Sequence, residues 1–407
     1  MHNPSEGRDR GERLLIPSLF VSQLSTRPIG ILTSFILVDI AQTFGTTVGV
    51  MGQIITAASL AGMIVAPFLA ALSMRHRPRI LLLAGIVLIT VSSVGCSFAF
   101  NYASMLLFYS LSGLGAAMVT PMIMTIVGER IPEEKRSGTI GLIIASTPML
   151  STLMGLTINH IIGRGWKTAY LQVVFPITFV SLVLAVLGLP RPTDGDVGEQ
   201  PETSIREGFR QILGHRSAVA CLLGTIFCQM AWGGVMWYMI SFYRQAFGLP
   251  TESAGVIWSA NTSVFVIGSL LVGRVVPKVG RKRTTGLMSL LIGVFIILFT
   301  NLPGYHASVA SVLLVTAFSA VWSSSSNELS LVQVPEYRGA MMSLNSGSSG
   351  LGSALGTAVG GLCLTLGGYS LFGWALGIVG FLGFLTISLF ARDRTIAVLS
   401  ELKVDGG

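Results

Sequence analysis

The sequence predicts an all-α membrane protein, with twelve spanning helices arranged as two related halves of six. Three observations carry this reading. The first is composition: 51% of the 407 residues are apolar and only 11% are charged, where soluble domains carry about 25% charged residues. A soluble fold cannot bury that much apolar surface, whereas a bilayer accepts roughly 20 apolar residues per helix. The second is the placement of charge. All but four of the 26 Lys and Arg fall in the tails and in alternate loops expected on the cytoplasmic side. The exceptions are Arg164, Lys167 and Arg244 in outer loops and Arg27 inside a span. This is the positive-inside pattern, so the net charge of +8 reports topology and does not point to nucleic acid.

The third observation is an internal repeat. The basic turn Gly273-Arg-Val-Val-Pro-Lys-Val-Gly-Arg-Lys-Arg283 lies between two apolar runs. Gly280 permits a turn that a Cβ would resist. Stepping back 203 residues reaches Ala70-Ala-Leu-Ser-Met-Arg-His-Arg-Pro-Arg79, again basic and again between apolar runs. The same step carries Pro335 to Pro132, each followed by Glu and then by an Arg-small pair. One offset relating two separate loops argues a duplication, and duplicated membrane halves are a transporter signature.

In chain order, the segment 1–13 is a polar, basic tail, expected in the cytoplasm with no cleaved leader because the first apolar run is long enough to remain as a helix. The first half, 14–189, holds spans at 14–38, 48–72, 80–100, 105–127, 137–162 and 171–189. A polar linker follows at 190–216, broken by Pro190, Pro192 and Pro201. Within it Ser204-Ile-Arg-Glu207 fits a capping box, and Ile205, Phe209, Ile212 and Leu213 share one face of a short amphipathic helix expected on the inner membrane surface. The second half, 217–391, holds spans at 217–242, 255–277, 284–302, 308–332, 339–366 and 373–391, and 392–407 is a second cytoplasmic tail. Gly352, Gly356 and Gly360 recur every fourth residue and form a stripe for close helix contact.

This layout resembles the major facilitator superfamily, and within it the bacterial drug and sugar efflux branch. The family's loop pattern is Gly-x-Leu-x-Asp-Arg-x-Gly-Arg-Lys. The second copy matches at Gly273, Lys278, Gly280, Arg281 and Lys282, with Pro277 at the Asp position. The first copy keeps Leu72, Arg75 and Arg79, with Met74 at the Asp position. A fourth-span pattern, Arg-x-x-x-Gly-x-Gly, stands as Tyr109-Ser-Leu-Ser-Gly113-Leu-Gly115. Of the fifth-span efflux pattern Gly155 remains, with Asn159 and His160 where glycines align. The resemblance implies the major facilitator fold and a proton-coupled transporter of a small organic molecule working by alternating access. It implies the loops as conformational switches and export as the direction. Two rivals stand beside it: a proton-coupled importer of an organic anion, and a non-transporting membrane sensor or scaffold, since both loops lack the Asp that helps latch the family's outward-facing state. A monomer in the cytoplasmic membrane, both termini inside, is expected.

Polar residues inside spans mark the candidate pathway. Arg27 sits mid-span, where a charge costs about 2.5–3.5 kcal/mol on the insertion scale. Gln23, Arg27, Gly30 and Ser34 fall on one helical face, and Pro28 loosens the backbone beside them. The residue is either an anion or proton-linked contact or half of a structural ion pair. Asn327 and Glu328 end a polar run, Ser323-Ser-Ser-Ser-Asn-Glu, too hydrophilic to face lipid. Glu328 is either a proton carrier or inner gate, or a partner of loop arginines. Gln229 and Trp232 lie one turn apart and deep in the seventh span, while Trp237 and Tyr238 are placed at the outer interface. Asp39, His160, Asn261 and Asn345 are weaker candidates. No Gly-x-x-x-x-Gly-Lys-Ser/Thr loop is present, so the chain carries no ATP motor of that type. No Cys/His spacing suits a metal, no acid–base pair is legible, and neither an enzyme nor a cofactor is expected. Cys96, Cys221, Cys228 and Cys363 fall in apolar runs and read as small buried hydrophobes.

Overall fold

A computed structural model describes residues 4–75, 77–132, 139, 142–143, 146–155, 165–189, 209–334 and 337–392. The described residues are almost wholly helical. In order they form α1 (Pro4–Leu24), α2 (Pro28–Thr43), α3 (Val48–Met51), α4 (Gln53–Arg75), α5 (Pro78–Ser97), α6 (Tyr102–Arg130) and α7 (Trp166–Ala169). A π-helical turn, Tyr170–Val174, joins α7 to α8 (Phe175–Gly188). Then follow α9 (Arg216–Ala246), α10 (Thr251–Val279), α11 (Arg281–Asn301), α12 (Tyr305–Leu331) and α13 (Arg338–Phe390).

The outward faces show what solvent these helices require. Helix α8 buries Thr178, Ser181, Ala185 and Gly188 and exposes Phe179, Val180, Val183 and Leu187. Small and polar residues inside with large apolar ones outside reverse the soluble pattern, and that arrangement is stable only where hydrocarbon surrounds it. Nine helical stretches among the described residues are long and apolar enough to cross a membrane. One of them, Met341–Phe390, holds two spans. Its backbone breaks at Gly368, at φ 70° and ψ −161°, a conformation open essentially to glycine alone. The fifth span of the sequence reading is helical at 146–155; Asn159 and His160 lie outside the described residues.

The duplication is written into the backbone. Helices α3 and α10 start at Val48 and Thr251, α5 and α11 at Pro78 and Arg281, and α6 and α12 at Tyr102 and Tyr305. Each pair is 203 residues apart. Gly45 and Gly248, at φ 63° and 64°, share that offset, and so do Gly165 and Gly368, at φ 96° and 70°. One interhelical contact repeats with different chemistry. A Cβ on Gly113 of α6 would overlap the Ala58 carbonyl of α4. Adding 203 to both gives Thr316 and Asn261, whose side chains hydrogen-bond at 2.6 Å between α12 and α10. The architecture is that of two pseudo-symmetric six-helix bundles.

The chain divides into two compact units, Met1–Gln200 with Tyr243–Ser259, and Pro201–Phe242 with Ala260–Gly407. The first has a core of Leu19, Leu82, Ile86, Val119, Ile123 and Val127 among others. In the second, the glycine stripe of α13 lies on α9. A Cβ on Gly352 would come within 2.5 Å of the Ile226 carbonyl oxygen, and one on Gly356 would overlap that of Met230. The linker helix is present at 209–214. Its Ile212 is fully buried in the second unit's core with Leu329, Val334 and Met341, while Leu213 is exposed. The capping-box residues lie outside the described segment.

Candidate functional site

In the first unit the sequence suggests one span across Arg27, yet α1 ends at Leu24 and α2 begins at Pro28. The break has a local cause. Pro28 has no N–H and crowds the residue before it out of regular helix. Hydroxyls along the break bond back to the chain: Ser22 donates to the Ser18 carbonyl at 2.7 Å, Ser25 to that of Ser22 at 2.7 Å, and Thr26 to that of Gln23 at 2.8 Å. A polar run of small hydroxyl residues thus makes an interrupted helix tolerable at membrane depth.

Arg27 occupies the N-cap of α2, at φ −111° and ψ −27°. Its side chain is exposed, although Ser25, Thr26 and every residue from Pro28 to Val38 are buried. Three consecutive turns covered on all sides leave no lipid-facing stripe. Arg27 is thus exposed on a helix whose following turns are covered. Gln23, buried on the preceding helix, accepts from the Thr120 hydroxyl of α6 at 3.3 Å.

Three turns further along α2, Asp39 has a partner that sequence spacing could not supply. Arg244 Nη1 and Nη2 donate to its two carboxylate oxygens at 2.6 and 2.8 Å, and Nη1 also donates to the Phe35 carbonyl at 2.8 Å. Arg244 belongs to the Tyr243–Ser259 segment of this unit. That segment also places Trp258 edge-on to Phe35 at 5.6 Å and lets the Ser259 hydroxyl donate to the Thr152 carbonyl at 3.1 Å. The C-terminal end of α2 is fixed by Trp166, whose indole donates to the Thr43 hydroxyl at 2.8 Å. Deeper, Thr33 and Tyr170 share a 2.7 Å hydrogen bond. Tyr170 heads the π-helical turn, and Tyr109, buried in α6, stands where the family pattern has Arg.

In the second unit the predicted amides join a network. Asn345 accepts from the Thr225 hydroxyl at 2.8 Å and donates to Asn327 Oδ1 at 2.8 Å, tying α9, α13 and α12 together. Gln229 donates to the Ser349 hydroxyl at 2.7 Å. Asn261, bonded to Thr316, also contacts the Met236 sulfur at 3.2 Å. Trp232 stacks on Phe265 at 5.4 Å, and its indole N–H has no acceptor among the described residues. Tyr238 is fully buried and donates to the Thr357 carbonyl at 3.0 Å, so it packs in the bundle interior instead of lying at the outer interface.

Glu328 pairs with Arg281 Nε at 3.3 Å, with about half and a third of the two side chains exposed. Arg281 is the first residue of α11, and Gly280 before it sits at φ 89°. The turn conformation therefore aims this loop arginine at the end of α12. Lys278 and Lys282 flank it on the same turn, and Gly273 lies within α10. In the first copy of the loop, Arg79 donates to the Val186 carbonyl at 2.8 Å; the Arg75 side chain lies outside the described residues. Thr225, Ser349 and Tyr170 were absent from the sequence reading, and Arg244 entered it only as an outer-loop charge. A lone hydroxyl in an apolar run, or an arginine at a helix end, gives no signal until its partner is known. Among the described residues no cluster of His, Cys, Asp and Glu could hold a metal.

Comparison with known proteins agrees with this architecture. The profile of the Major Facilitator Superfamily matches residues 19–335. An uncharacterized transporter of that type, YwfA of Bacillus subtilis, is 26% identical over 386 residues, which is 88% of this chain and 87% of YwfA. A multidrug resistance protein B homolog of Mycobacterium tuberculosis is 30% identical over 200 residues, 46% of this chain and 36% of that one. Among solved structures, a D-xylose–proton symporter superposes with TM-score 0.78 over 93% of this chain and 98% of its own, at 15% identity.

Proposed function

We propose that this chain, which belongs to the major facilitator superfamily and so moves a small molecule across a membrane, is a secondary transporter coupled to protons and working in export. The observation that carries the reading is the interrupted first apolar run, with the exposed Arg27 at its break. Discontinuous helices of this kind line substrate paths in transporters, and an ionisable group at that depth is expected to serve function. Two carboxylates stand near the C-terminal ends of their helices: Asp39 is held by Arg244 in the first unit, and Glu328 by Arg281 in the second. Protonating either would remove its charge and weaken its clasp, which gives protons a physical means of biasing the conformational cycle. Export is supported by the likeness to the multidrug resistance protein B homolog. The symporter supports the fold only. The distribution of Lys and Arg supports both termini in the cytoplasm.

The test is proton flux in liposomes containing the purified protein and an internal pH-sensitive dye. With an imposed gradient, a transported compound should dissipate it at a rate that depends on the protein. Arg27→Ala and Glu328→Gln should each reduce that rate. Near wild-type flux in both variants would sink the site assignment, and transport indifferent to the gradient would sink the coupling.

A further inference from the structure

Where the linker enters the second unit, a buried clasp fixes two arginines side by side. Gln333, just past α12, is buried, and its side-chain amide is fully used. It accepts from the Ser217 hydroxyl at 2.5 Å and donates to the carbonyls of Leu329 and Arg392, each at 3.0 Å. The Arg392 N–H closes the ring, donating to the Ser217 hydroxyl at 2.8 Å. A buried polar network with every member satisfied holds a single arrangement. This one pins the chain just beyond α13 to the first turn of α9, so Arg392 is held beside Arg216. The positions 203 residues before Ser217, Gln333 and Arg392 are Leu14, Arg130 and Leu189. The clasp is therefore no part of the duplicated plan; it belongs to the second half alone.

The surface around the clasp is basic and apolar at once. Arg216 and Arg392 are exposed. So is Arg210, three residues before the exposed Leu213 on the linker helix and thus on the same face. Ile212 seats that helix in the core that also holds Ile387 and Ala391. Beside it, Leu389 and Phe390 in the last turn of α13 are 68% and 62% exposed, and Leu213 is 60% exposed. None of the three arginines makes an ion pair among the described residues. The one described carboxylate of the second unit, Glu328, is bound to Arg281; the acids of the linker and of the tail lie outside the described residues. Water alone would leave the leucines and the phenylalanine uncovered, and acyl chains alone would leave the guanidiniums without a counter-charge. A ligand anionic at one end and apolar along the rest answers both needs.

We infer that this corner binds an anionic phospholipid, its phosphate taken by Arg210, Arg216 and Arg392 and its chains lying along Leu389 and Phe390. The inference needs only that the chain spans a bilayer. It is independent of the direction and the coupling of transport.

The full-length protein in neutral detergent is melted over a range of phosphatidylglycerol concentrations, of phosphatidylcholine with the same chains, and of sodium phosphate. Phosphatidylglycerol should raise the melting temperature, and the other two should not. In the double variant Arg216→Gln with Arg392→Gln the apparent affinity for phosphatidylglycerol should fall about 10-fold or more, as two cations near an anionic headgroup imply. Arg216→Lys with Arg392→Lys keeps both charges, guards against a folding defect and should retain most of the binding. Lys278→Gln with Arg283→Gln removes the same charge from exposed positions on the other basic turn of this unit and should bind as the wild type does. The inference is overturned if phosphatidylcholine stabilises equally or if sodium phosphate matches the lipid. It is also overturned if the Gln pair at Arg216 and Arg392 binds unchanged. Equal losses at the two pairs of sites would assign the effect to diffuse surface charge and overturn it too.

Discussion

The pair between Asp39 and Arg244 offers the most direct measurement of what holds the outer end of the first unit. The perturbation is a double-mutant cycle of Asp39→Asn, Arg244→Gln and the double variant. The geometry sets the magnitude. The contact is bidentate, at 2.6 and 2.8 Å, with a third bond to the Phe35 carbonyl, and the side chains are 15% and 30% exposed. Exposed pairs contribute about 0–1 kcal/mol, while breaking a fully buried one costs about 3–5 kcal/mol. A paired, mostly covered contact with ideal fork geometry lies between them. Arg244→Gln should therefore cost about 2–3 kcal/mol, and the coupling between the sites should be about 1–2 kcal/mol. At about 2 °C per kcal/mol for large domains, the single variant should melt roughly 4–6 °C lower, read by thermal unfolding of the detergent-purified protein. Because the pair is sheltered, 1 M salt, where the screening length is about 3 Å, should remove only part of the coupling. Additive single and double variants, with coupling under about 0.5 kcal/mol, would refute the reasoning and leave Asp39 as an ordinary helix-end charge.

Three further outcomes follow from the packing. Gly356→Ala should destabilise the fold by about 1–3 kcal/mol through overpacking, since its Cβ would overlap the Met230 carbonyl. Gly350→Ala, on the same helix with open space around it, should be neutral or gain about 0.5–1 kcal/mol; equal melting shifts would discount the close contact. Gly368→Ala should cost about 1–3 kcal/mol because φ 70° and ψ −161° suit glycine, and an unchanged melt would argue against that turn. Asn345→Leu removes both the acceptor for Thr225 and the donor to Asn327, so a loss of about 2 kcal/mol is expected at about 1 kcal/mol per bond.

Some of this was legible because it follows from composition alone. A chain with so few charges must let its helices meet hydrocarbon, and the helix is the element that satisfies every backbone group there. Register could be read as well. The 203-residue offset seen in two loops reappears as matched helix starts and matched glycine dihedrals, because a duplicated chain repeats its turn chemistry along with its apolar runs. Arg27 could be singled out since charge at mid-span is expensive wherever it points.

What the linear chain left open were the partnerships. Asp39 read only as a weaker pathway candidate, and Arg244, 205 positions away, as an outer-loop charge; only folding put them at bonding distance. Glu328 had no named partner until the turn at Gly280 aimed Arg281 at it. Tyr238 seemed interfacial until α13 brought the Thr357 carbonyl over it. The first span read as continuous, because propensity cannot tell whether Pro28 bends a helix or breaks it; in the fold α1 ends at Leu24 and α2 starts at Pro28. The bilayer fixes helices one at a time from local sequence, so those are determined before packing. Hydrogen bonds and ion pairs need two groups within about 3 Å, and residues distant along the chain meet at that range only once the bundle has closed.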